Sequence, residues 1–128
     1  MKFYNVNALP HQKLRSPVTG ETFSKSAVLS ELFAYQDIFV HHEILPPGRR
    51  SSSPHCHTLR EEMVFVLKGC PTAHLGDQAF ELQPGDFIGF KPGLTPLHFI
   101  ENTTSEEVCL LVLCSNPEND PVVYETNN

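Results

Sequence analysis

Basic residues are scarce in this chain. Nine lysines and arginines stand against 15 aspartates and glutamates, for a net charge of −6 at pH 7. A nucleic-acid binder needs clustered cations to displace phosphate counterions, so this balance argues against a nucleic-acid partner. The pair Arg49-Arg50 and the isolated Lys91 form no basic stripe. Long apolar runs are missing too. None approaches the ~20 residues of a membrane span, so no membrane partner is expected. The opening residues MKFYNVNALPHQKLR hold no long apolar segment of the secretion-signal kind. Cysteine is limited to Cys56, Cys70, Cys109 and Cys114. Two of these lie in the apolar run VCLLVLC, where a thiol acts as a small hydrophobe. A chain of 128 residues can bury a core without disulfides, so reduced thiols in a cytoplasmic protein are expected. There is no internal repeat and no linker, which predicts one domain over residues 1–128.

Helix signals are weak. The best helical segment is SKSAVLSELFA, residues 24–34, with Ser24 as its cap. What is abundant is punctuation: eleven prolines and seven glycines break the chain into short pieces. Strands are predicted at 38–45, 62–67, 72–75, 79–82, 87–90, 97–101 and 108–114. Turns at Pro46-Pro47-Gly48, Gly76-Asp77, Pro84-Gly85-Asp86 and Pro92-Gly93 separate them. The last strand is the most apolar and is expected at the centre of its sheet. Residues 122–124 either fray with the polar tail or pair at an edge. Many short strands at regular spacing indicate an all-β sandwich or barrel.

The chemistry concentrates in His55-Cys56-His57-Thr58-Leu59-Arg60-Glu61-Glu62. Side chains alternate along a strand, so His55 and His57 share one face while Cys56 points away, at most a surface thiol. A carboxylate from the adjoining strand adds an oxygen donor. Neutral imidazoles with a carboxylate suit a divalent transition metal such as Zn, Ni, Fe, Mn or Cu.

Two motifs extend this reading. From Gly48 to Gly69 the chain carries a glycine, then HxH, then Glu62, then a glycine after six residues. From Gly85 to Asn102 it carries PGD, a Pro/Gly turn, then His98, three residues and an asparagine. In this order the motifs resemble the two sequence motifs of the cupin superfamily, and in particular its small single-domain bacterial members. The likeness implies a double-stranded β-helix, or jelly-roll barrel, with a core over 38–114. Residues 1–35 form an N-terminal extension and residues 115–128 a C-terminal tail. It also implies a metal set of His55, His57, Glu62 and His98, and it selects Glu62 over Glu61 by the gap to Gly69. The segments from Gly48 to His55 and from Gly85 to His98 are longer than the family pattern. Both excesses fall in turns and bear on the mouth of the pocket more than on the ligands.

His11, His41, His42 and His74 are read as packed or solvated residues, with His42 and His74 also able to line a cavity. For a general acid or base, Glu61, His42, His74 and Tyr35 are open alternatives. Arg49, Arg50, Phe90, Lys91 and Phe99 are expected around the mouth, the two arginines mainly as solvated charges. Asn102 is expected to bond backbone at a turn. Three functions compete. One is a metal-dependent enzyme of dioxygenase, isomerase or decarboxylase type acting on a small polar metabolite. The second is a module that binds or senses a small ligand without turnover. The third is a barrel with a vacant site used for assembly. Open sheet edges favour a homodimer.

Overall fold

The computed structural model describes residues 2–125. Eleven strands follow one another: β1 (Gln12–Arg15), β2 (Thr22–Val28), β3 (Ile38–Leu45), β4 (His55–His57), β5 (Glu62–Lys68), β6 (Thr72–Leu75), β7 (Gln78–Glu81), β8 (Phe87–Phe90), β9 (His98–Glu101), β10 (Val108–Ser115) and β11 (Val122–Tyr124). They form two antiparallel sheets. One has the order β1-β2-β3-β10-β5-β8 and the other β11-β4-β9-β6-β7. This is the all-β architecture expected from the spacing of strands and turns, in the double-stranded β-helix form that the resemblance implied.

The strand bounds follow the alternation closely. β3 occupies the predicted residues, and β10 lies between β3 and β5. Along β10 every second residue is buried, which places Val108, Leu110, Val112 and Cys114 inside. They pack with Leu45, Val64, Val66 and Ile100 between the sheets. At ~25 cal/mol per Å2 of apolar surface removed from water, this interleaved layer is the main stabilising contribution. Residues 122–124 pair at a sheet edge. Val122 and Tyr124 of β11 register with His57 and His55 of β4.

The expected helix over residues 24–34 does not form. Its first half is β2, and only Ser30–Phe33 makes a turn of 3-10 helix, closed by Ala34 at φ 55. An isolated helix of that length is marginal, whereas pairing with β3 gives each backbone group a partner. Ser24 is therefore no cap. Its hydroxyl is buried and donates to Glu43 Oε1 at 2.7 Å.

One residue from each motif fixes a turn. Asn102 is fully buried, and its Nδ2 donates to the carbonyls of Leu45 (2.9 Å) and Glu106 (2.7 Å). Its Oδ1 accepts from the Thr104 backbone N–H at 3.0 Å, so it bonds backbone at a turn as expected and also ties the end of β3 to that turn. Gly69 sits at φ +81 with the Glu107 carbonyl oxygen 2.8 Å from where a Cβ would stand. No helix among the described residues is long and apolar enough to cross a membrane.

Candidate metal centre

Both sheets contribute to one cluster. His55 on β4 stands directly opposite His98 on β9, because those strands pair at that register. Their ring centroids are 4.6 Å apart. Glu62 reaches the cluster from the start of β5 in the facing sheet. Donor atoms of His55, Glu62 and His98 all lie within 4.8 Å of one another. His57 flanks them, with Nε2 3.6 Å from Glu62 Oε2. The ring of His98 lies parallel to that of Phe90, with centroids 3.7 Å apart, which restricts its rotation.

Hydrogen bonds at the outer nitrogens set the tautomers. His57 Nδ1 donates to Asp120 Oδ2 at 2.7 Å, and His55 Nδ1 donates to the Ser53 carbonyl at 2.9 Å. Each bond leaves an Nε2 lone pair free, the arrangement that orients imidazoles toward a metal. Burial pushes the His55 pKa down and keeps its imidazole neutral. Glu62 is opposed by burial, but the hydrogen bond from His98 and the nearby imidazoles hold its carboxyl below the usual range. An ionised carboxylate, only 11% exposed, thus has imidazole partners and no lysine or arginine against it. His98 Nδ1 is buried without a partner. This donor set fits a divalent transition metal.

Cys114 also approaches Glu62, with Sγ 3.7 Å from Oε2. Burial and the Glu62 charge push its thiol up to about 12, so it stays protonated and is a poor metal ligand. Cys56 belongs to no ligand group and is buried, contrary to the expectation that it was at most a surface thiol. All four cysteines are free.

The cluster opens into a cavity of about 200 Å3 between the sheets. Of the residues expected at the mouth, Phe90 and Phe99 line this cavity. Lys91 lies in an adjoining, more open groove that shares Glu62 and Phe90 with the cavity. Arg50 is bound bidentately to Glu21, at 3.0 and 2.7 Å, and Arg49 reaches the Phe23 carbonyl at 3.5 Å.

The structure corrects the reading of β3. Leu45 faces the core, so residues 43 and 41 share its face and residue 42 does not. Glu43 and His41 line the cavity. His42 points outward, where its Nδ1 and His11 Nε2 share a hydrogen bond of 2.8 Å. His74 lies outside the cavity, stacked on Phe99 and bonded to Glu101 at 3.0 Å. Glu61 and Tyr35 are exposed and do not line it. Burial pushes Glu43 up to about 7, with the Ser24 hydrogen bond working against it. Burial takes His41 down to about 4. The parity of β3 points to both residues only once Leu45 is known to face the core.

Asp120 was also missed. Besides His57 it binds the backbone N–H groups of Leu59 (2.9 Å) and Arg60 (3.1 Å) through Oδ1. Burial works to raise its pKa, but these bonds and the one from His57 hold it below the usual carboxylate range. Its sequence context, a polar tail, carried no metal-site signal.

Two sheets closing on a cavity with histidine and carboxylate donors define a double-stranded β-helix protein with a candidate metal centre. The cupin domain model matches residues 41–114, more than half of the chain, and the chain belongs to that family. No protein of curated function matches the sequence. Among solved structures, a candidate sugar phosphate isomerase from Acidithiobacillus ferrooxidans is 25% identical with a TM-score of 0.84, covering 93% of this chain and 76% of its own. A cupin-superfamily sugar phosphate isomerase from Silicibacter pomeroyi is 20% identical with a TM-score of 0.85, covering 98% and 83%. The polyketide cyclase RemF from Streptomyces resistomycificus is 20% identical with a TM-score of 0.82, covering 100% and 87%. The last two likenesses establish the fold alone.

Proposed function

We propose that this protein is a metal-dependent enzyme acting on a small oxygen-bearing metabolite, with His55, His57, Glu62 and His98 as ligands to one divalent transition metal. The observation that carries this reading is the convergence of His55, Glu62 and His98 at the wall of a cavity between the sheets. A bound metal would supply Lewis acidity toward a carbonyl or carboxylate oxygen. Around it, the chain's own residues bind and move protons. Phe90, Phe99 and Val64 restrict water, while Glu43 is held by Ser24 where it can exchange a proton with a bound molecule. Glu43 takes the general acid/base role that the sequence left open. A proton-moving reaction beside a carbonyl, of isomerase type, fits this arrangement. The likeness at 25% identity to a candidate sugar phosphate isomerase supports the same class.

Elemental analysis of protein purified without chelator tests the reading, followed by reloading with Zn, Ni, Fe or Mn and a turnover screen on small carbonyl compounds. About one metal per chain, lost in His57→Ala, is the expected result. Full metal retention in that variant overturns the ligand set. Stoichiometric metal with tight ligand capture and no turnover would make this a binding module instead.

The same reading takes the chain as a single-domain cytoplasmic homodimer. Met63, Leu67 and Phe87 are exposed on β5 and β8 of the six-stranded sheet, an apolar surface suited to a second copy. A monomer mass by light scattering at micromolar concentration would contradict the dimer.

A further inference from the structure

The cavity contains one side chain that the metal reading does not use. Arg60 is the only lysine or arginine among its lining residues. Its guanidinium is held in place from two sides. Nη2 donates to Asn116 Oδ1 at 3.2 Å, and the guanidinium carbon lies 5.1 Å from the centroid of the Phe39 ring. The backbone N–H of the same residue is fixed by Asp120, which also orients His57. Nε, in contrast, is buried and has no hydrogen-bond partner among the described residues. No carboxylate among them pairs with this guanidinium, unlike Arg50, which Glu21 neutralises.

A fixed, uncompensated guanidinium beside a metal site is an anion receptor lacking its anion. Arginine offers Nε and Nη as a planar fork matched to the two oxygens of a carboxylate. A divalent ion would more than offset Glu62, so the centre would carry positive charge of its own, to which Arg60 adds. Size narrows the anion further. At ~30 Å3 per water molecule, the cavity of about 200 Å3 holds roughly six waters. That space suits a short carboxylic acid. Ser51, whose oxygen accepts from the Ile100 N–H, keeps a hydroxyl hydrogen for a second oxygen, and Phe99 adds an apolar face to the lining.

We infer that Arg60 and the metal together bind a small oxygen-substituted carboxylate, a 2-hydroxy or 2-oxo acid, with the carboxylate on the Arg60 fork and an oxygen toward the histidine cluster. This inference rests on the metal-centre reading above. It names the substrate class for that site and differs from what the sugar phosphate isomerase likeness would suggest.

Metal content is measured first, on the full chain, for wild type, Arg60→Gln and Arg60→Lys. Calorimetric titrations of the metal-loaded proteins then use glycolate, pyruvate, the neutral amide glycolamide and inorganic phosphate, with thermal shift as a second readout. Wild type is expected to bind glycolate and pyruvate at least about tenfold more tightly than glycolamide. Arg60→Gln should keep its metal and lose about ten- to a hundredfold in affinity for the acids, the range for a hydrogen bond to a charged group. Arg60→Lys, with charge but no fork, should fall between. Equal binding of the acids by wild type and Arg60→Gln, with metal retained in both, overturns the inference and leaves the metal centre standing. Preferential capture of phosphate overturns the carboxylate class. A wild-type protein that takes up no metal overturns the metal-centre reading and this inference with it.

Discussion

Asp120 Oδ2 accepts a 2.7 Å hydrogen bond from His57 Nδ1, joining the C-terminal segment to the histidine cluster 63 residues earlier. The same carboxylate caps the backbone N–H groups of Leu59 and Arg60 through its other oxygen. One side chain therefore sets the tautomer of the His57 imidazole and shapes the loop that leads to Glu62. Such carboxylate–histidine pairs fix the tautomer of the imidazole and hold its orientation.

Asp120→Asn should weaken metal binding by about ten- to a hundredfold without abolishing the fold. The amide keeps the shape and loses the charge. Competition against a chelator of known affinity measures the change, and unaltered affinity would remove Asp120 from the site.

Glu43 makes the metal-free protein less stable as pH rises. Its folded value is about 7 against an ordinary 4.5, so between those values the folded chain holds the extra proton. Its contribution to stability is full below 4.5 and is lost as pH rises through about 7, by roughly 3 kcal/mol at most. His41 acts in the opposite sense. Its value falls from 6.5 to about 4, so its contribution is present above 6.5 and is lost as pH drops through about 4. Replacing Glu43 with Gln should therefore stabilise the apoprotein at pH 8 relative to wild type, with the advantage vanishing near pH 4. Denaturant melts in chelator across that range provide the comparison, and a pH-independent difference would refute it.

Gly69→Ala should cost about 2–4 kcal/mol. Its φ of +81 is left-handed, and the added Cβ would lie 2.8 Å from both the Glu107 carbonyl oxygen and Val108 Cγ2. Backbone cannot swing aside as a flexible side chain would. Gly48 has φ +79 but open space around the added carbon, so alanine there should cost only the backbone strain, about 1–2 kcal/mol. Equal losses at the two sites, read from urea midpoints, would discount the steric term.

Thiol labelling should be graded. Cys70 is exposed, whereas Cys56 and Cys114 are buried. One thiol per native chain should react rapidly with an aromatic disulfide at pH 8. Cys109, half-buried and pushed up by burial and by Glu107, should follow more slowly. Prompt reaction of Cys114 would contradict its protonated state beside Glu62.

Most of the fold was legible because its signals are local. Alternation along residues 108–115 marked a buried strand, and Pro-Gly pairs marked the turns between strands. Residues 24–28 were misread because their helical appearance depends on local propensity, while the outcome depends on the open flank of β3. His42 was favoured over His41 because strand parity has no origin until one residue is known to face the core. Leu45, fully buried at the end of β3, supplies that origin.

By itself the sequence determined the donor types and their order: two histidines one residue apart on a strand, then Glu62, then His98. The histidine pair follows from covalent spacing and strand geometry, while Glu62 and His98 were picked out by the likeness to the family's two motifs; neither needs long-range information. Only the tertiary structure decided what surrounds them. Pairing of β4 with β9 placed His55 opposite His98, and pairing of β4 with β11 returned Asp120 to His57. Packing of the two sheets put Glu43, His41 and Arg60 around one cavity. Such encounters depend on which distant strands share hydrogen bonds and on which face each strand turns inward. A single chain records neither until the sheets close on the common core.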